Sequence, residues 1–199
     1  MNFNDSTTKV NLARSFAAEC QAGARYQFMS KIALQNQMQF ISDTMKTLAK
    51  NEMAHAKVFY DFILQNSNGN VRNIAIEAGF PFEMPELSSS LLEESKNETS
   101  EAENIYPSFA RIAKDEGYTE IARSFEAIAK IESSHARILK YLSDLYKANK
   151  LYKRDHPTEW KCSSCGHVEC VKEAFKTCPV CKLPQGYVII DIEKELSSK

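Results

Sequence analysis

Two stretches 80 residues apart carry the same pattern. Ala49-Lys50-Asn51-Glu52-Met53-Ala54-His55-Ala56-Lys57 and Ala129-Lys130-Ile131-Glu132-Ser133-Ser134-His135-Ala136-Arg137 both read A-K-x-E-x-x-H-A-[KR]. Positions i and i+3 share a helix face. Glu52 with His55, and Glu132 with His135, therefore each aim a carboxylate and an imidazole at one point. Tyr26 and Tyr106 keep the same offset, which points to a duplicated helix pair. Two copies imply no solenoid. Glu19 adds a carboxylate two turns before Tyr26, and Glu98 with Glu101 add two more at i, i+3. A Glu from each of two helices and a Glu-x-x-His from each of two others is the two-metal carboxylate set of helical bundles. This chain carries one carboxylate beyond that minimum.

Charge balance favours a metal. Five carboxylates converging without a cation would repel one another and take up protons. Two iron ions with a bridging oxygen ligand would neutralise them. Oxygen and imidazole ligands suit Fe or Mn, and Zn could also occupy the site. A lone E-x-x-H is ordinarily a surface ion pair or a core histidine. Two copies inside a nine-residue repeat, with carboxylates on both partner helices, reverse that reading. Glu93, Glu94 and Glu103 read as solvated-face neighbours. Cys20 follows Glu19 and reads as a packed core thiol. The Tyr26 and Tyr106 hydroxyls are expected beside the metal site.

A second metal site is written in cysteine. Cys162-Ser163-Ser164-Cys165-Gly166 and Cys178-Pro179-Val180-Cys181 are two C-x-x-C knuckles. Four thiolates on two such turns make a tetrahedral site for Zn or a single Fe. Cys170 is a spare thiol, and His167 faces an already filled shell. Lys161, Lys172, Lys176 and Lys182 form a mild basic scatter, read as solvated surface before a docking face for an acidic partner.

The elements that must hold these groups follow from periodicity. From about Asp5 to about Asn149 glycine is sparse and apolar residues recur at three- and four-residue steps. Helices are expected at 7–36, with Ser6, Thr7 or Thr8 as N-cap, and at 38–65. A connection with a short helix around Val71–Ala78 follows. A third helix is expected from Ser89 or Ser90 to Glu116, kinked by Pro107, and a fourth from Thr119 to Ala148. Four long helices with one long crossover is the connectivity of an all-α, four-helix ferritin-like bundle. Residues 1–149 form this unit, 150–158 a linker, and 159–199 a small β/knuckle module that needs its metal to fold.

Composition excludes other classes. The chain has 199 residues, 43% hydrophobic and 26% charged, with net charge −1. No basic field exists to hold nucleic acid, and no apolar run of roughly 18 residues exists to span a membrane. Met1–Thr8 lacks an apolar signal core, so a cytoplasmic location is expected. No G-x-G-x-x-G fingerprint occurs, so the chain binds no nicotinamide in a Rossmann manner.

The combination resembles the rubrerythrin family over essentially the whole chain. The stretches that carry the resemblance are Phe16-Ala17-Ala18-Glu19, Arg25-Tyr26, Glu52-x-x-His55-Ala56 and Glu98-x-x-Glu101 with Ile105-Tyr106-Pro107-Ser108-Phe109-Ala110. Glu116-Gly117-Tyr118, Glu132-x-x-His135 and Trp160-Lys161-Cys162 continue it, the last opening a rubredoxin-like module. The resemblance implies a non-haem di-iron peroxidase of oxidative-stress defence, reducing hydrogen peroxide to water. It implies di-iron ligands at Glu19, Glu52, His55, Glu98, Glu101, Glu132 and His135, with Glu52 and Glu132 bridging and Glu101 and His55 alternating on redox change. Tyr26 and Tyr106 would hydrogen-bond the ligands. A rubredoxin-type iron on Cys162, Cys165, Cys178 and Cys181 would relay electrons from an external NAD(P)H-linked reductase or rubredoxin. A head-to-tail homodimer is expected. Gly23-Ala24, Asn97 and Lys182 depart from the family's usual pattern. The alternative is a ferritin-like ferroxidase with a structural zinc ribbon.

Overall fold

The computed structural model describes residues 2–69, 71, 73–82 and 86–197, with the Glu193 side chain outside it. Helix α1 (Thr7–Gln35) starts at Ser6, whose Oγ accepts the Lys9 N–H at 3.1 Å. A distant side chain completes the cap: the Glu116 carboxylate accepts the N–H groups of Thr7 and Thr8, each at 2.9 Å. An anion is favourable at this end because the first-turn N–H groups lack partners and carry the positive end of the dipole. Helix α2 (Gln39–Asn66) follows after a turn in which Gln37 takes a left-handed φ of 58°.

The crossover differs from expectation. Residues 71 and 73–82 have no regular secondary structure, so the short helix expected at Val71–Ala78 is not formed among the described residues. Two turns cannot offset the nucleation penalty without burying a face. Val71 and Ile74 pack individually against the bundle core instead.

The expected third helix is interrupted. It consists of α3 (Leu87–Ser100) and α4 (Tyr106–Asp115), joined by a π-helical turn at Glu101–Ile105. The Tyr106 N–H reaches back five residues to the Glu101 carbonyl. Pro107 has no N–H to give and its ring crowds the carbonyl four residues back, so the wider turn forms just before it. The turn also sets a side-chain direction. Glu19 and Tyr26 are seven residues apart, but Glu98 and Tyr106 are eight. Seven α-helical steps return to within about 20° of the starting face, whereas eight overshoot by about 80°. The extra residue of the π turn absorbs that overshoot, and both tyrosines end up on their glutamates' face.

Helix α5 (Thr119–Lys147) completes the bundle. Strands β1 (Lys153–Cys162), β2 (Val168–Glu173) and β3 (Val188–Ile189) form an antiparallel sheet in the order β2-β1-β3, and α6 (Ile192–Ser197) ends the described chain. Strand β1 begins inside the stretch expected as linker, and its register with β2 slips between Lys153 and Thr158, around Pro157. Proline cannot donate to a ladder and sits where pairing breaks.

The core is split into two. One cluster contains Phe3, Leu12, Phe59, Tyr106 and Phe125. The other contains Tyr26, Met29, Met45, Leu91 and Leu142, and continues into the small module through Trp160, Val188 and Ile190. On each long helix the switch between clusters falls at the glutamate or Glu-x-x-His positions. Gly186 permits the close approach of module and bundle: a Cβ there would lie 1.7 Å from the Gln37 carbonyl oxygen. Among the described residues, no helix is long and apolar enough to cross a membrane.

Candidate metal centres

On α2 the buried stripe runs Met45, Leu48, Ala49, Glu52, Ala56, Phe59 and Ile63. Glu52 thus occupies a position that packing would give to an apolar residue, and Glu132 does the same on α5. Glu19, Glu52, His55, Glu98, Glu132 and His135 are all buried in the layer between the two cores.

They converge as two overlapping sets. Glu19, Glu52, His55 and Glu132 form one, and Glu52, Glu98, Glu132 and His135 the other, with the ligand atoms of each set within 4.8 Å of one another. His55 Nδ1 lies 2.9 Å from Glu132 Oε1, 3.3 Å from Glu52 Oε2 and 3.6 Å from Glu19 Oε2. His135 Nδ1 lies 2.8 Å from Glu132 Oε2, 3.0 Å from Glu52 Oε1 and 3.8 Å from Glu98 Oε2. Glu52 and Glu132 therefore give one oxygen to each set, which is the geometry of bridging carboxylates.

These residues fit a pair of cations. Glu19 Oε2, Glu52 Oε1, Glu98 Oε2, both Glu132 oxygens and His135 Nδ1 are buried without a hydrogen-bond partner. Buried polar atoms left this way are rare, and close approach without hydrogen-bond alignment is what ligands around an ion show. The protonation pattern without metal agrees. Burial, reinforced by neighbouring carboxylates, pushes Glu19 and Glu98 well above the usual carboxylate range and Glu101 up to about 8. Burial alone would lower His55 and His135. The carboxylates around them, Glu132 first, hold them instead at about 12 and about 9. Burial works against ionised Glu52 as well, but His135 and His55 outweigh it and bring it to about 2. Cations would replace these retained protons.

The tyrosines act crosswise. The Tyr26 hydroxyl donates to Glu98 and the Tyr106 hydroxyl to Glu19, so each half of the duplication orients a carboxylate of the other. Burial, then nearby carboxylates, raises both phenols well above 10, keeping them protonated donors. Glu101 stands outside both ligand sets, half-buried on the π turn.

Two expectations are corrected. Glu94 is not on a solvated face: it is 4% exposed and bound to Arg25, with Nε–Oε1 at 2.6 Å and Nη2–Oε2 at 3.1 Å. Its spacing from Glu98 and Glu101, i−4 and i−7, places it on their inward face. Glu93 does reach solvent, paired with Lys96 at 2.6 Å, and Glu103 is exposed. Cys20 is only half-buried rather than packed in the core. Its place a quarter turn from Glu19 points it to the edge of the helix pair.

Asn51 was not singled out from sequence. Its side-chain amide lies 3.3 Å from His135 Nε2, the ring nitrogen turned away from the carboxylates. The repeat-equivalent residue is Ile131, which can offer His55 no such bond. The signal was the one polar-to-apolar mismatch ahead of the duplicated glutamates.

The four cysteines form the second centre. Cys162 Sγ and Cys181 Sγ are 3.6 Å apart, as are Cys165 Sγ and Cys178 Sγ. A disulfide would need about 2.05 Å, while a tetrahedral ion with bonds of about 2.3 Å sets sulfurs about 3.8 Å apart. Gly166 and Lys182, each following its knuckle's second cysteine, take matching left-handed φ values of 77° and 64°. Their N–H groups close the turns onto the Cys162 and Cys178 carbonyls. Burial opposes thiolate formation at Cys178, but the N–H groups of Cys181 and Val180 outweigh it and hold the thiol at about 6. Cys170 is exposed and free, and His167 pairs with Glu169 at 3.0 Å.

Comparison with known proteins agrees with this pair of centres. The family model for rubrerythrin matches residues 10–143. The rubrerythrin of Clostridium perfringens is 38% identical over 90% of this chain and 92% of its own length. The chain belongs to the rubrerythrin family. The rubrerythrin of Nitratidesulfovibrio vulgaris is 33% identical, covering 92% of this chain and 93% of its own. Partially reduced nigerythrin has the same fold, with a TM-score of 0.61 at 24% identity over 94% of this chain and 92% of that one. Family membership supports a di-iron, rubredoxin-like oxidoreductase.

Proposed function

We propose that the protein is a peroxidase that reduces hydrogen peroxide to water in the cytoplasm, with electrons relayed through the four-cysteine site. The observation that supports this is a buried two-cation carboxylate–histidine layer and a four-thiolate site in one chain. Glu19, Glu52, His55, Glu98, Glu132 and His135 would hold two irons, with Glu101 alternating with His55. Cys162, Cys165, Cys178 and Cys181 would hold one iron, for which zinc can substitute. Residues 1–149 would then be the catalytic unit and 159–199 the relay, joined by 150–158.

Iron in the bundle would supply the two electrons that, with two protons, turn hydrogen peroxide into two waters. The chain's own residues do the rest. Tyr26 and Tyr106 hold Glu98 and Glu19 in one orientation. The flanking apolar clusters keep bulk water from the layer, which strengthens every charge interaction inside it. Glu101, half-buried on the π turn outside both ligand sets, is the carboxylate left free to exchange with His55. Electrons would enter from an NAD(P)H-linked reductase or rubredoxin, with a head-to-tail homodimer bringing one subunit's thiolate site to the other's bundle.

Anaerobic stopped-flow on fully reduced protein tests this. The visible absorption of the ferric four-cysteine centre should return faster with peroxide than with oxygenated buffer. Faster return with oxygen would overturn the peroxidase reading. Zinc in place of iron, with no visible band, would reduce the small module to a structural staple.

A further inference from the structure

One cavity opens beside the metal layer on the crossover side. It encloses about 270 Å³ between α1, the π turn, the start of α4 and residues 78–81. Ala18, Phe80, Pro81, Ile105 and Phe109 give it a mainly apolar lining. Glu101 and Tyr106 form its wall toward the metal ligands, Tyr106 through its bond to Glu19. The cationic groups at its edge are already engaged. Arg25 is bound to Glu94, and Arg14 to the Glu77 carbonyl and Asn11.

Ser15 also lines this cavity. It is 1% exposed, and its Oγ has no hydrogen-bond partner among the described residues. A buried hydroxyl left unpaired is unfavourable, so it marks a place for a polar atom of a ligand. Size and lining say what kind of ligand. Hydrogen peroxide has two heavy atoms and needs little more than the roughly 30 Å³ of a water. It uses neither the remaining volume nor the aromatic and aliphatic walls. A dry cavity of about 150 Å³ already takes benzene, so this one has room for a substituted ring.

We propose that this cavity seats a neutral organic hydroperoxide, its hydrocarbon part among Phe80, Pro81, Ile105 and Phe109 and its O–O end at Ser15 and Glu101. The inference rests on the peroxidase reading and adds a second substrate class to the same site. The balance is that of hydrogen peroxide reduction: ROOH would take up two electrons, which the reduced metal pair would supply when bound, and two protons from solvent. The O–O bond breaks, one oxygen leaves as the alcohol ROH and the other as water.

The test uses full-length protein and two probes, cumene hydroperoxide and its inert alcohol product, 2-phenyl-2-propanol. Ligand-observed NMR should show saturable binding of the alcohol. Ala78→Leu on the crossover and Ala18→Leu on α1 each enlarge a side chain that lines the cavity and should weaken that binding at least fivefold. Ala78 lies outside the helices, so its variant keeps the test valid if Ala18→Leu fails to fold. In both, kcat/KM for cumene hydroperoxide relative to hydrogen peroxide should also fall at least fivefold. Absent saturable binding, or smaller changes in the folded variants, overturns the proposal. Reduction of hydrogen peroxide without alcohol binding overturns this proposal alone. Reduction of neither hydroperoxide overturns the peroxidase reading and this inference with it.

Discussion

Arg25→Ala isolates an ion pair buried beside the metal layer. Glu94 is held by two Arg25 bonds of 2.6 and 3.1 Å and by the Asn97 amide at 3.2 Å. Removing the guanidinium leaves a buried carboxylate with a single neutral donor. Breaking a buried pair from one side typically destabilises by roughly 3–5 kcal/mol, because the remaining charge stays desolvated. The double variant Arg25→Leu/Glu94→Leu removes both desolvation penalties and should recover most of that loss. Guanidinium denaturation of the zinc-loaded wild type, single and double variants reads this directly. A loss below about 1 kcal/mol in the single variant, or a double variant no more stable than the single, would refute the reasoning. The change also has a chemical consequence. Glu101 is raised by burial and by Glu132 and Glu52, and the Arg25 charge is what pulls it back toward about 8. Without Arg25 its carboxyl should rise further and hold its proton to higher pH in the metal-free protein, which a titration of the apo variant reads.

Other changes probe the remaining contacts. Asn51→Ala removes the partner of His135 Nε2 and should weaken metal binding roughly 10–100-fold in a chelator competition, as loss of a ligand's supporting bond does. Ile131→Ala, its repeat equivalent, should leave affinity within a few fold. Gly186→Ala places a Cβ against the Gln37 carbonyl and should loosen the small module, seen as faster amide exchange in β3 with both metal sites still loaded. Metal uptake should release protons, because His55, His135 and Glu101 stay protonated up to about 12, 9 and 8 without it. All three values lie above neutrality, so apparent affinity should climb more than tenfold per pH unit from about 6 to 8. A pH-independent affinity in a pH-stat titration would show that the cluster holds no such protons.

The ligands themselves were legible in the residues. Glu52 with His55 and Glu132 with His135 depend only on i, i+3 spacing, which any α-helix enforces, and the 80-residue repeat pairs them without knowledge of packing. The two C-x-x-C knuckles are likewise local, since each turn presents its own sulfurs. What periodicity cannot carry is the rotation and axial stagger of one helix against another. That is why Glu94 looked solvated until Arg25 of α1 was seen opposite it, and why Asn51 went unnoticed until His135 of α5 faced it. The π turn before Pro107 is an intermediate case. Its cause is in the sequence, in a proline and a one-residue mismatch between the two halves, but the choice between a kink and a wider turn depends on where Tyr106 must meet Glu19. Sequence alone determined which side chains could bind metal, because covalent spacing acts within a single turn. The tertiary structure decided which of them come together in one buried layer, which carboxylates stand between the two histidines and what lines the nearby cavity, because those are relations between helices that only burial brings together.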